Sequence, residues 1–174
     1  RIGRKVAEKA NIFGIKVMAF DPILNGDDEK NNVQSVTLDF LIKNSDFITL
    51  HIPLIKETKH LISFDQVQMM NDDVIIINAA RGGLINEDAL IHGLSTGKIL
   101  GVGLDVMEDD HPKASNKLFG FDNVIVTPHT AYFSQESNQE LQRRVVGEAL
   151  TVVAGNLPEN LINRDVIQNN RSNI

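Results

Sequence analysis

The sequence predicts an α/β fold, a doubly wound parallel sheet with helices on both faces. Three observations predict it. Helical and strand patterns alternate along the chain with short connections. The run Val74-Ile75-Ile76-Ile77-Asn78 is continuously apolar, as in a central strand buried on both faces. Four short motifs fall where strands end, the edge at which an open parallel sheet binds ligands.

The elements follow in order. Ile2 to Phe13 reads as a helix with Val6, Ala7, Ala10 and Phe13 on one face, ended by Gly14. Residues 15–20 form a strand that finishes at Asp21-Pro22, and the polar stretch from Asn25 to Gln34 reads as loop. Thr37 caps a short helix through Lys43, with Asp39 in its first turn. The strand 47–52 is broken by Pro53, and Phe64 to Met70 is a short helix leading into the strand 74–78. Asn86 caps a helix through Leu94, where Glu87 and Asp88 complement the helix dipole. Strands follow at 100–105 and 123–127, then a long helix from Ser134 to Ala154 closed by Gly155-Asn156. The tail after Leu157 reads as extended and exposed.

Composition removes whole classes of function. The net charge of -6 offers no basic face for a nucleic acid. No apolar run approaches the roughly 18 residues of a membrane span, and no secretory signal opens the chain, so a cytoplasmic location is expected. With no cysteine there is neither a disulfide nor a thiolate ligand or nucleophile. His60, His92 and His111 lack ligand spacing, so surface roles are expected for them and no metal site.

Gly3 opens the first helix and Asp21 closes the following strand 18 residues later, near the spacing of a dinucleotide fingerprint. Gly3 fits the third glycine of that motif, with the N–H groups around Arg1 and Ile2 facing a pyrophosphate. Asp21 would then accept from the adenosine ribose hydroxyls. No strand precedes Arg1, so the first strand and an N-terminal part are expected to be missing.

The strand-end motifs are His51-Ile52-Pro53, Asn78-Ala79-Ala80-Arg81-Gly82-Gly83, Gly103-Leu104-Asp105-Val106 and Thr127-Pro128-His129-Thr130-Ala131. Through them, and across residues 1–160, the chain resembles the D-isomer-specific 2-hydroxyacid dehydrogenase family. The resemblance implies a Rossmann-type fold cut off from its substrate domain. Residues 1–155 would be the NAD-binding domain and 156–174 a tail leading back to the substrate domain. It also implies NAD as cofactor, a 2-keto or D-2-hydroxy acid as substrate, and a homodimer.

By that resemblance Arg81 clamps the substrate carboxylate and also reaches the cofactor, while His129 is the acid-base residue. Ala79, Ala80 and Asp105 lie near the nicotinamide, and Ile52, Pro53 and Thr58 wall the cofactor cleft. The family pairs its histidine with a glutamate five residues after the strand-end aspartate. Here that position is Asp110, about 1.5 Å shorter in reach. Glu108 is the other candidate for the partner of His129. Tyr132-Phe133 after the histidine motif looks like the D-lactate and D-2-hydroxyisocaproate subgroup, with Tyr132 on the substrate side.

The alternative is an NAD-sensing interaction module of the corepressor type, which shares this fold and cofactor site. A generic Rossmann binder is disfavoured, because it would not need Arg81 and His129 together. The fragment alone is expected to be inactive.

Overall fold

The structure, a computed structural model, describes residues 2–22 and 32–163. Arg1, most of the polar stretch and residues 164–174 lie outside it. The chain divides into two compact units, Arg1–Ala131 and Tyr132–Ile174.

In the first unit, helix α1 (Ile2–Ile12) leads to strand β1 (Val17–Ala19). Gly14, at φ 75°, ends α1. Its N–H bonds Asn11 and that of Ile15 bonds Ala10, which satisfies the last carbonyls. Only Ala7 of the expected apolar face is buried. Phe13 follows the last helical residue and is exposed, as is Val6.

Strand β2 (Val33–Ser35) pairs parallel to β1, Val17 opposite Val33. It corrects the expectation of loop through Gln34. Its three residues include two polar ones, and pairing with a distant strand rather than local pattern defines it.

Helix α2 (Leu38–Asn44) is capped by the Thr37 hydroxyl, which accepts from Phe40 N–H. Strand β3 (Phe47–Leu50), helix α3 (Phe64–Met69), strand β4 (Val74–Asn78), helix α4 (Glu87–Ser95), strand β5 (Ile99–Leu104) and strand β6 (Val124–Val126) complete the unit. Strands β3 to β6 form a parallel sheet in the order β3-β4-β5-β6, and β1 and β2 form a separate pair. Ser63 and Gln66 make a capping box at α3. The Asn86 side chain caps α4 by accepting from Ala89 N–H.

Alternation sorts the sheet into two faces. Ile48, Leu50, Val74, Ile76, Val102 and Leu104 are buried in one core with Val67 of α3 and Ala89, Leu90 and Leu94 of α4. The other face carries the row Thr49, Ile77, Gly103 and Ile125, in which Ile77 and Ile125 are exposed. Strand β4 is therefore central to its sheet but buried on one face, not on both.

In the second unit, helix α5 (Gln135–Val153) starts at a reciprocal cap between Ser134 and Ser137. Gly155, at φ 76°, ends it. Of the tail after Leu157, the described residues 158–163 are folded back toward α5, where Glu148 accepts from the N–H groups of Glu159 and Asn160; the rest lies outside the described residues. No helix among the described residues is long and apolar enough to cross a membrane.

Candidate functional site

The last fully paired row of the four-stranded sheet is Leu50, Asn78, Leu104 and Val126. The next residue on each strand is His51, Ala79, Asp105 or Thr127, so all four motifs leave the sheet from one edge. Register alone achieves this.

Asn78 shapes the turn after β4. It is a polar residue 1% exposed at the end of an isoleucine run. Its side chain accepts from Ala80 N–H at 3.0 Å and donates to Arg81 O at 2.9 Å. Its own carbonyl accepts from Asp105 N–H at 2.9 Å. Sequence reasoning gave Asn78 no role, although an asparagine closing an apolar strand is a signal in itself. Ala80 packs on the core and Ala79 is exposed. Arg81 is extended, its guanidinium donates to Ala80 O at 2.6 Å, and the side chain is exposed.

Asp105 is buried, and all its side-chain bonds point to the turn after β6. The Thr127 hydroxyl and Thr130 N–H donate to one carboxylate oxygen, and Ala131 N–H donates to the other. Burial alone would raise this carboxyl. The three hydrogen bonds and the charge of His129 outweigh burial, so it stays ionised below the usual aspartate range. Between these anchors sits His129 at φ 53°, a left-handed conformation that costs energy outside glycine. Its N–H bonds the carbonyls of Asp105 and Thr127. Asp105 is thus first of all the holder of the His129 turn.

Glu108 exchanges hydrogen bonds with Glu87: Glu87 N–H donates to Glu108 Oε1 and Glu108 N–H donates to Glu87 Oε1. His60 Nε2 lies 3.1 Å from the same Glu108 oxygen. That nitrogen is buried, and its approach to the oxygen lacks the geometry of a directed hydrogen bond. The His60 side chain stays about a third exposed, at the surface beside Glu108. His92 lies beside Phe64, ring centres 5.9 Å apart, and His111 is exposed. Asp110 is exposed in the same segment as Glu108. No group of three or more acidic or histidine side chains among the described residues could hold a metal.

At the other end of the edge, α1 begins beside His51. A Cβ on Gly3 would meet the His51 side chain at 3.5 Å, an ordinary contact. Burial holds the His51 imidazole below its usual range, toward the neutral form, at the positive end of α1. Ile2 is exposed at that helix start. Asp21 lines a hollow of about 590 Å³ with Phe20, Pro22, Gln34, Ser35, Val36, Thr37 and Phe40. Ile52 packs partly on the core, and Pro53 is exposed. The Thr58 hydroxyl pins the following loop by donating to Pro53 O at 2.7 Å and accepting from Ile55 N–H at 2.8 Å. Tyr132 belongs to the second unit, where it is exposed and meets Phe133 edge-on.

The model of the family described as "D-isomer specific 2-hydroxyacid dehydrogenase, NAD binding domain" matches residues 1–131. A glyoxylate reductase of Korarchaeum cryptofilum is 36% identical over 169 residues, covering 97% of this chain and 51% of that protein. A hydroxypyruvate reductase of Thermotoga maritima is 44% identical over 146 residues, covering 83% of this chain and 46% of that protein. Among solved structures, D-lactate dehydrogenase with NAD+ from Lactobacillus jensenii superposes with a TM-score of 0.85 at 33% identity, covering 94% of this chain and 53% of that one. The chain thus spans about half the length of the relatives it matches. With its strand-end motifs in order on one sheet edge, the chain belongs to the D-isomer specific 2-hydroxyacid dehydrogenase family, matching its NAD-binding domain.

Proposed function

We propose that this chain is the NAD-binding part of an oxidoreductase that moves a hydride between NAD(H) and a 2-keto or D-2-hydroxy acid. The observation that carries the proposal is the buried Asp105 carboxylate holding His129 in a left-handed turn, one strand away from the Asn78 turn that presents Arg81.

The residues present fit the cofactor. The open start of α1 suits a pyrophosphate. The hollow beside Asp21, walled by Phe20 and Phe40, suits an adenosine whose ribose hydroxyls donate to the carboxylate. In a doubly wound order the edges of β1 and β3 flank one further parallel strand, which the described residues do not supply. Residues 1–155 then make the cofactor domain, and 156–174 lead toward a substrate domain.

When bound, NADH supplies the hydride, and NAD+ accepts it in the reverse direction. Arg81 offers its planar fork to the substrate carboxylate, which fixes the carbonyl carbon before the hydride donor. His129 gives a proton to the carbonyl oxygen during reduction and removes it during oxidation. Asp110 is the carboxylate assigned to favour the protonated imidazole, and Tyr132 is assigned to the side-chain end of the substrate. The name of the D-lactate dehydrogenase neighbour and the names of the glyoxylate and hydroxypyruvate reductases both support a small 2-keto acid. A homodimer and a cytoplasmic location complete the reading. No nucleic-acid or membrane partner enters it.

The test is a titration of the 174-residue chain with NADH, beside a panel of 2-keto acids offered to the enzyme that carries it. The chain should bind NADH without turnover, because the substrate cleft needs both domains. The enzyme should reduce at least one keto acid. NADH binding with no reduction and a bound peptide partner would favour the corepressor-type module instead.

A further inference from the structure

Three stretches of chain meet at one carboxylate. The segment after His60 zips against the residues that follow Arg81: His60 N–H donates to Gly83 O at 2.8 Å, Ile62 N–H to Leu84 O at 3.1 Å, and Asn86 N–H to Ile62 O at 2.9 Å. The segment after Asp105 lies against the same turn from another side. A Cβ on Gly82 would stand 1.8 Å from Met107 O and 2.6 Å from Glu108 N, so the two backbones are in direct contact there. Glu108 then closes the junction. Its Oε1 accepts from Glu87 N–H at 3.0 Å, at the positive start of α4, and faces His60 Nε2 at 3.1 Å. Glu87 returns a bond to Glu108 N–H at 2.7 Å and takes another from the Asn116 side chain at 3.1 Å. Two carboxylates can sit together here because backbone and side-chain N–H groups donate to them.

We propose that His60, Glu108 and Glu87 form a brace that locks the Arg81 turn to the segment carrying Asp110, which makes Glu108 and His60 positioning residues for the carboxylate-binding side of the site. The proposal rests on the dehydrogenase reading for its consequence in catalysis, and on the contacts above for its existence. Arg81 itself is exposed, and among the described residues its anchors are its own backbone turn and Ala80. Its aim therefore depends on how firmly the turn beneath it is held. A displacement of about 1 Å at such a group costs roughly a hundredfold in rate.

The brace predicts a pattern that loss of stability alone would not give. In the enzyme that carries this chain, Glu108→Ala should raise KM for the keto acid and lower kcat, with kcat/KM down roughly tenfold to a hundredfold. The dissociation constant for NADH should stay as it was. Glu108→Gln should restore most of the loss, because its amide oxygen still accepts from Glu87 N–H. His60→Asn tolerates the left-handed backbone (φ 54° at this position) but falls short of Glu108, so it should reproduce the Ala phenotype in part. Amide hydrogen exchange on the 174-residue chain supplies a readout independent of activity. Glu108→Ala, or His60→Asn if that variant does not fold, should speed exchange at residues 82–85 and 106–110 together. Exchange that rises in 106–110 alone overturns the proposal. So does a lower Tm with kcat/KM per folded molecule unchanged. If the parent enzyme reduces no keto acid, the dehydrogenase reading fails, and the exchange data still decide the brace.

Discussion

The backbone N–H of His129 donates to the Asp105 carbonyl at 2.9 Å, while the Asp105 carboxylate takes the N–H groups of Thr130 and Ala131. One buried residue just past β5 therefore fixes both sides of a histidine in the turn after a different strand, β6. The left-handed backbone of His129 is held by these bonds, and releasing them should let the turn relax.

Asp105→Asn tests this directly. The amide keeps one acceptor but turns an NH2 group toward an N–H donor that the carboxylate had accepted. Urea unfolding should show a loss of about 1–3 kcal/mol, as for a buried donor left without its partner. The pH dependence has a definite sign. The folded-state pKa of Asp105 is depressed, so its contribution is complete above its unfolded value of about 3.9 and disappears as pH falls through the lower folded value. The gap between wild type and Asp105→Asn should be constant near neutrality and close only below about pH 4. A gap that narrows between pH 8 and 6 would contradict this account.

Arg81→Lys should be far from conservative in the full enzyme. Lysine brings a point charge where the carboxylate needs a bidentate fork, so orientation suffers along with affinity. Steady-state kinetics should show kcat/KM down by about a hundredfold with NADH affinity retained. Wild-type kinetics in this variant would withdraw the clamp assignment.

Local chemistry explains what the sequence made legible. Thr37, Asn86 and Ser134 cap helices through side chains within three residues of their partners, and Gly14 and Gly155 end helices through their own φ. The strand-end position of Asp105 and His129 follows from apolar runs of fixed length. What stayed hidden depends on distant partners. Val33 becomes a strand residue only by pairing with Val17. His60 meets Glu108, 48 residues away, and the backbone of Met107 passes so close to Gly82 only because that position carries no Cβ. Asn78 was visible as a motif letter, but its three bonds reach Ala80, Arg81 and Asp105 in geometry that spacing does not encode.

Asp110 and Glu108 should separate in a pH–rate profile of the enzyme. If Asp110 is the carboxylate that favours imidazolium at His129, Asp110→Asn should move the range of keto-acid reduction to lower pH. Glu108→Gln should leave that range where it is, since Glu108 is committed to Glu87 and His60. The reverse result would reassign the partner. An unmoved profile in both variants would hand the role to a carboxylate outside this chain.

Cofactor choice should favour NAD over NADP. A 2′-phosphate placed in the hollow beside Asp21 would meet like charge, and among the described residues neither lysine nor arginine lines that hollow. Calorimetric titration of the chain should therefore give a markedly weaker NADPH than NADH. Asp21→Ser should narrow the difference. Equal affinities in the parent chain would remove Asp21 from the ribose site.

Two glycines give opposite expectations from their surroundings. Gly82 and Gly3 both open onto the candidate site, and both could be read from sequence as cofactor glycines. A Cβ on Gly82 would overlap the backbone of Met107, at 1.8 Å from its oxygen and 2.0 Å from its carbon. Backbone cannot rotate away as a side chain can, so either the Arg81 turn or the segment 105–110 must move. Gly82→Ala should lower stability by about 3 kcal/mol or more, at the upper end of overpacking costs. It should weaken keto-acid reduction at least as much as Glu108→Ala does, because both part the same two segments. A Cβ on Gly3 meets only the His51 ring and Cβ, at 3.5 Å, and its φ needs no glycine. Gly3→Ala should therefore fold with Tm close to wild type and keep NADH binding. Thermal melts of the two variants of the 174-residue chain decide the matter. A stable Gly82→Ala would mean that Met107 is not held against this glycine, and the coupling of Arg81 to the Asp110 segment would lose its backbone half.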